Sequence, residues 1–127
     1  MIFGIGTDVV RIERIAAAHE RFGRHFVERL LMPEELALFE SNVRPTRFLA
    51  MRFAAKEAIV KALGTGFGHG VWIRDVGFVP DRRGRPELRF SARGLAVADR
   101  LGAGDGHLSL SDEAGLVFAV AVLMKKA

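Results

Sequence analysis

RFAAKEAIVKALGTG, residues 52–66, is the stretch on which the fold turns. Pro45 upstream and Gly64 downstream bracket a long helix over about 46–63, and glycines at 66, 68 and 70 make the following segment a loop. At about 100° per residue from Arg52, Lys56 falls near 40°, Glu57 near 140° and Lys61 near 180°. Leu49, Phe53 and Val60 lie between these two pairs, so the charges flank an apolar stripe on both sides. Arg52 and Lys56 are like charges one turn apart, which costs a few tenths of a kcal/mol unless an anion sits between them. Glu57 and Lys61 stand in the favourable order for an i,i+4 ion pair worth about 0.3–0.5 kcal/mol. That plain pair is the simpler reading; the alternative makes Glu57 a hard-metal ligand and Lys61 a phosphate contact.

Outward from this helix, residues 2–10 read as a first strand carrying Thr7 and Asp8, and residues 12–22 as a helix. Pro33 followed by EELALFE reads as a short helix with acids in its first turn. VWIRDVGFV (71–79) reads as a strand, DRRGRP as a turn and ELRFS (87–91) as the antiparallel neighbour. Residues 92–101 read as a helix and GAGDG (102–106) as a turn. HLSLSD (107–112) alternates, with Leu108 and Leu110 on one face and His107, Ser109 and Ser111 on the other. LVFAVAVLM (116–124) is a buried strand, too short for a membrane span. The sum is one α+β domain over 1–127, with four or five strands and its helices mainly in the first half.

Composition narrows the function. The absence of cysteine removes disulfide and thiolate chemistry and suits a reducing cytoplasm. The net charge of +4 attracts nucleic acid, phosphorylated metabolites or an acidic protein. The basic residues are dispersed, and RRGR (82–85) is the only tight run, in a turn where solvation explains it. Nucleic-acid and membrane partners are therefore not expected. GTGFGHG lacks the pattern and the preceding strand of a nucleotide loop.

One carboxylate makes a poor magnesium site, so Glu57 needs a second oxygen ligand. Asp8, at the end of an apolar strand, is the candidate; a cap or loop hydrogen bond is its simpler reading. His107 beside Ser109 defines no acyl-transfer pair, because neither a triad nor an oxyanion site accompanies it.

GIGTDVVRIERI (4–15), FLAMRFAAKEAIVKALGTG (48–66), W-x-x-D-V (72–76), GRPEL (84–88) and HLSLSD (107–112) occur in this order along the chain. In this the sequence resembles the holo-acyl-carrier-protein synthase family, the small single-domain 4'-phosphopantetheinyl transferases. The resemblance implies a compact fold in which an antiparallel sheet packs against a long central helix. It implies magnesium-dependent transfer of 4'-phosphopantetheine from coenzyme A to a serine of apo-acyl carrier protein, releasing adenosine 3',5'-bisphosphate, in fatty-acid biosynthesis. It implies that Asp8 and Glu57 bind Mg²⁺, that Lys61 lies at the pyrophosphate, and that these three are the catalytic residues. Arg44, Arg52 and Lys56 match basic positions around the nucleotide or its phosphates, and His107 and Ser109 match residues bordering the coenzyme pocket. It also implies a homotrimer with sites shared between subunits.

The resemblance further implies that the basic first helix receives the acidic carrier protein, at Arg14 and less securely at Arg11 and Arg21. Arginines at 11, 14, 21, 24 and 29 beside Ile15, Phe22 and Phe26 suit such a surface. Asp112 stands where the family often has a second histidine, which weakens any terminal His–Ser device and leaves the metal ligands untouched. The nucleophile belongs to the carrier protein, and a water positioned against Asp8 or Glu57 is preferred over His107 as its proton acceptor. The alternatives are a non-catalytic module that binds coenzyme A or an acidic partner, and, more distantly, a basic nucleic-acid binder.

Overall fold

Pro45 opens and Gly64 closes the 19-residue helix around which the molecule is built. Gly64 takes a left-handed conformation (φ 84°), and its N–H donates to the carbonyls of Val60 and Lys61, satisfying the helix end. The computed structural model describes residues 1–127. In chain order the elements are β1 (Ile2–Arg11), α1 (Ile12–Phe22), α2 (Arg24–Leu30), α3 (Pro33–Phe39) and α4 (Pro45–Leu63). A 3-10 turn (Ile73–Asp75) then leads to β2 (Val76–Pro80), β3 (Pro86–Phe90), α5 (Ala92–Leu101), β4 (Ala103–Glu113) and β5 (Leu116–Lys125).

The strands form a three-stranded antiparallel sheet in the order β1-β5-β4 and a separate β2-β3 hairpin. The fold is α+β, with the long helix packed on the antiparallel sheet, as expected. Helix α4 crosses β1 and β5 on one face and meets β2 on another. Its buried Ala50, Ala54, Ala55, Ala58 and Ala62 present small side chains, so the strands approach its backbone closely. β1 answers with Gly4 and Gly6. A Cβ at Gly6 would lie 2.0 Å from the Ala58 carbonyl oxygen, and one at Gly4 would lie 2.0 Å from that of Ala62.

Strand alternation gives the sheet two unlike faces. Val10, Leu108, Val117, Ala119, Ala121 and Leu123 are buried on the helix side. On the outer side, Thr7 pairs with Val120 and Val120 with Ser109, while Val9 pairs with Phe118 and Phe118 with Ser111. Ile5, Val9, Phe118 and Val120 are 59%, 52%, 44% and 40% exposed there.

Two local expectations are corrected. The first half of VWIRDVGFV is not strand. The Asp75 carboxylate accepts the Trp72 N–H at 2.8 Å, the Ser91 hydroxyl at 2.7 Å and Arg93 Nε at 2.9 Å, curling 73–75 into a helical turn. GAGDG is not simply a turn, since β4 begins at Ala103 and its pairing with β5 shifts register between Ala103 and Gly106.

Candidate functional site

The close β1–α4 crossing places Asp8, two residues beyond Gly6, over the Glu57–Lys61 side of the helix. Lys61 Nζ donates to the Thr7 carbonyl at 3.0 Å and to Asp8 Oδ1 at 3.3 Å. The simple Glu57–Lys61 pair along the helix is thereby replaced, because the ammonium reaches across to the strand. Glu57 is half-buried, and desolvation followed by repulsion from Asp8 pushes its carboxyl above the usual range. Lys61 and Arg14 pull it back, which puts the first helix's arginine beside the same cluster. Asp8, Glu57, Lys61 and Arg14 therefore meet, from three elements, at one place. The two acids are close enough to repel, and no cluster of three or more His, Cys, Asp or Glu surrounds them.

Arg52 and Lys56 sit on the other flank of α4, and their charges are spent differently from the sequence expectation. Lys56 is fully enclosed, with Nζ donating to Glu35 Oε1 and to the Val76 carbonyl, each at 2.6 Å. It therefore cannot reach a nucleotide phosphate directly in this chain. Burial pushes its pKa down while Glu35 opposes the shift. Arg52 Nε lies 3.3 Å from both Glu35 Oε2 and the Phe78 carbonyl. Its guanidinium is gripped between Phe48 and Phe78, with Cζ 4.0 and 3.8 Å from the two ring centroids. Burial pushes Arg52 down to about 10, so it remains cationic at neutral pH.

The anion that offsets the Arg52–Lys56 repulsion is thus internal. Glu35 also accepts the Met32 N–H at 3.0 Å and the Phe78 N–H at 3.2 Å, and Gly77 leaves the space its carboxylate fills. Removing it alone would strand two buried cations, at a cost of about 3–5 kcal/mol. Sequence reading took Glu35 for a dipole-stabilising acid of a helix's first turn. The three-residue spacing from Met32 gave no sign that α4 and β2 would close over it.

The remaining candidates are separated from Asp8. Arg44 precedes α4, where its N–H donates to Asn42 Oδ1 at 2.8 Å. Its neighbour Arg47 grips Asp112 by Nε and Nη2 at 2.8 and 3.1 Å, holding that carboxyl below its ordinary value. Asp112 is therefore an ion-pair partner tying β4 to the start of α4. On α1, which also brings exposed Arg14 to the acidic cluster, Arg21 lies exposed 5.2 Å over the Phe22 ring, and Arg11, at the end of β1, lies 3.9 Å from Glu13. His107 and Ser109 are exposed on the outer sheet face, opposite the face that carries Asp8. His107 borders a broad groove of about 980 Å³ between β3, α5 and the C-terminal residues. A single chain does not bring His107 or Ser109 to the acidic cluster. No helix is long and apolar enough to cross a membrane.

With this geometry in place, comparison with known proteins is decisive for family. The model of the 4'-phosphopantetheinyl transferase superfamily matches residues 4–120. The holo-[acyl-carrier-protein] synthase of Halorhodospira halophila is 48% identical over 124 residues, 98% of each chain. The crystal structure of the Neisseria meningitidis holo-[acyl-carrier-protein] synthase superposes with a TM-score of 0.94 at 42% identity, covering 98% of this chain and 100% of that one. The Helicobacter pylori enzyme, solved in complex with coenzyme A, gives a TM-score of 0.82 at 32% identity, covering 94% and 98% of the two chains. The chain belongs to the holo-acyl-carrier-protein synthase family of the 4'-phosphopantetheinyl transferase superfamily.

Proposed function

We propose that this protein transfers 4'-phosphopantetheine from coenzyme A to a serine of an acidic apo-acyl carrier protein in the cytoplasm, supplying holo-carrier protein for fatty-acid synthesis. The observation that carries the reading is the meeting of Asp8, Glu57 and Lys61 across the β1–α4 crossing, in a chain of this family. The serine hydroxyl gives its proton to a water positioned against Asp8 or Glu57, and its oxygen forms a bond to the phosphorus that bears pantetheine. The bond from that phosphorus to the bridging oxygen breaks, and adenosine 3',5'-bisphosphate leaves.

Asp8 and Glu57 are the residues that would hold Mg²⁺. Their donor chemistry fits, because two neighbouring hard carboxylates, one of them desolvated, gain from a shared divalent cation. Two protein ligands also suit magnesium's habit of taking its remaining oxygens from substrate phosphate and water. When bound, the ion supplies positive charge against the pyrophosphate oxygens. Lys61 ties Asp8 to the strand backbone and keeps a second positive charge at the same place. Arg14, exposed beside Glu57, forms the rim that an acidic carrier protein would meet while presenting its serine.

The outer sheet face supports a homotrimer. Exposed Ile5, Val9, Phe118 and Val120 form an apolar surface of the kind that subunit contacts cover. His107 and Ser109 share that face, so His107 of the partner subunit would complete the coenzyme pocket that one chain leaves divided.

The deciding experiment is mass spectrometry of an apo-acyl carrier protein incubated with this protein, coenzyme A and Mg²⁺. The reading requires the phosphopantetheine mass gain and its loss in Asp8→Ala. Coenzyme A binding without mass gain would instead identify a non-catalytic module.

A further inference from the structure

Helix geometry offers Lys61 a partner that it does not take. Glu57 stands one turn earlier, in the order that favours an i,i+4 ion pair. The Lys61 ammonium instead crosses to β1, donating to the Thr7 carbonyl at 3.0 Å and to Asp8 Oδ1 at 3.3 Å. Glu57 enters none of the molecule's ion pairs. Its half-buried carboxylate is partly stripped of water and faces the like charge of Asp8 with no cation bonded to it.

Two carboxylates thus share one ammonium, and that ammonium holds Asp8 alone. Arg14 eases the charge on Glu57 through space, without an ion pair of its own. An incompletely neutralised, half-desolvated acid pair is relieved by a cation that touches both carboxylates at once. Such a cation must take the Asp8 oxygen that Lys61 now occupies. A divalent ion repels the ammonium twice as strongly as a unit charge does, so the two do not share Oδ1. Lys61 can give way, because its side chain is 51% exposed on a flexible four-carbon stem. Of its two acceptors, the nearer is the Thr7 carbonyl, whose contact does not depend on Asp8.

We propose that Lys61 is the resident counter-ion of Asp8 and that a divalent cation displaces it from Oδ1, the ammonium keeping the Thr7 carbonyl as its anchor. The proposal rests on the magnesium reading above and adds a regulation to it: the site's own lysine competes with the metal and so sets how much divalent ion is needed to fill the site. A lysine that merely braced Asp8 would strengthen metal binding. A competitor weakens it.

The two roles therefore differ in sign, and Mn²⁺ alone, without coenzyme or carrier protein, reads the difference by electron paramagnetic resonance. Lys61→Met should bind Mn²⁺ about tenfold more tightly than native, the scale of one charge-assisted hydrogen bond. Lys61→Arg keeps the competing charge and should stay within about threefold of native. Arg14→Gln removes a cation that does not bond Asp8, so its gain should also stay below about threefold. Unchanged or weaker binding by Lys61→Met, an equal gain in Arg14→Gln, or no Mn²⁺ binding by any of these proteins overturns the assignment.

If Lys61→Met does not fold, NMR of the native protein decides. On addition of Mg²⁺, the Lys61 Nζ and ε-methylene signals should shift with the same midpoint as the Asp8 carboxyl signal. Lys61 signals that stay in place while Asp8 responds refute the proposal. Displacement of Lys61 in a protein that does not modify carrier protein supports the competition and sinks the transferase reading. Transfer without any Lys61 response to Mg²⁺ does the reverse.

Discussion

Replacing Gly6 by alanine tests the crossing that assembles the site. The added Cβ would lie 2.0 Å from the Ala58 carbonyl oxygen, 2.6 Å from the Ala62 nitrogen and 2.9 Å from Lys61 Cβ, where ordinary contact begins at 3.4 Å. Two of the three atoms are backbone of the central helix and cannot swing aside. β1 must therefore lift by about 1 Å, at the upper end of the usual overpacking cost, about 3 kcal/mol. For a domain of this size that lowers Tm by about 10 °C. Asp8 lies two residues along the same strand, and a displacement of about 1 Å at a reacting centre costs about a hundredfold in rate. Thermal unfolding and mass-spectrometric transfer measure both effects on one preparation. Gly84→Ala is the control: its Cβ meets nothing within 4 Å, so it should carry only the penalty of its positive φ of 84°, about 1 kcal/mol, with turnover unchanged. A Gly6→Ala protein that melts within about 2 °C of native and transfers at the native rate would refute the claim that this contact sets the site.

Asp8→Asn should abolish most turnover while leaving the fold intact, and should move the Glu57 pKa downward, since repulsion from Asp8 is the second cause of its elevation; carbon-detected NMR titration reads that shift. Because the folded-state pKa of Glu57 is raised above its ordinary 4.5, its contribution to metal-free stability is full below that value and is lost as pH rises through the raised one. Glu57→Gln should flatten that part of the stability–pH curve, as urea unfolding at several pH values would show. Arg14→Glu should raise KM for carrier protein about tenfold or more and leave coenzyme A affinity near native, measured by steady-state kinetics and calorimetry. Val120→Glu, on the exposed sheet face, should shift the sedimentation mass from trimer toward monomer; an unchanged mass would remove that face from the assembly.

Periodicity made α4 legible from residue to residue. Its limits follow from Pro45 and Gly64, and its division into an Arg52–Lys56 flank and a Glu57–Lys61 flank survives in three dimensions. Helix α5, closed by Gly102, was equally clear, whereas the C-terminal strand was found as an unbroken apolar run read as buried throughout, and the structure buries only one of its faces, leaving Phe118 and Val120 44% and 40% exposed. Local hydrogen bonding was harder to read. Asp75 lies inside an apolar run that looks like strand, yet its carboxylate closes a turn with Trp72 and joins Ser91 and Arg93, which follow far later in the chain. The partner of Lys56 was hidden for the same reason: Glu35 is 21 residues away and looks like an ordinary helix-start acid.

The sequence by itself determined most of the elements, the sidedness of α4 and β4, and, through motif order, the family. These are properties of neighbouring residues, whose spacing acts through the fixed geometry of helix and strand. Only the tertiary structure decided which charges meet. Gly4 and Gly6 let β1 touch the α4 backbone, joining Asp8 to Lys61, while β2 and α3 closed over Lys56 and gave it to Glu35. Two lysines five positions apart on one helix thus acquired opposite fates, one buried and neutralised, the other half-exposed beside Asp8. Burial and ion pairing depend on what packs from elsewhere in the chain, and no local pattern encodes that.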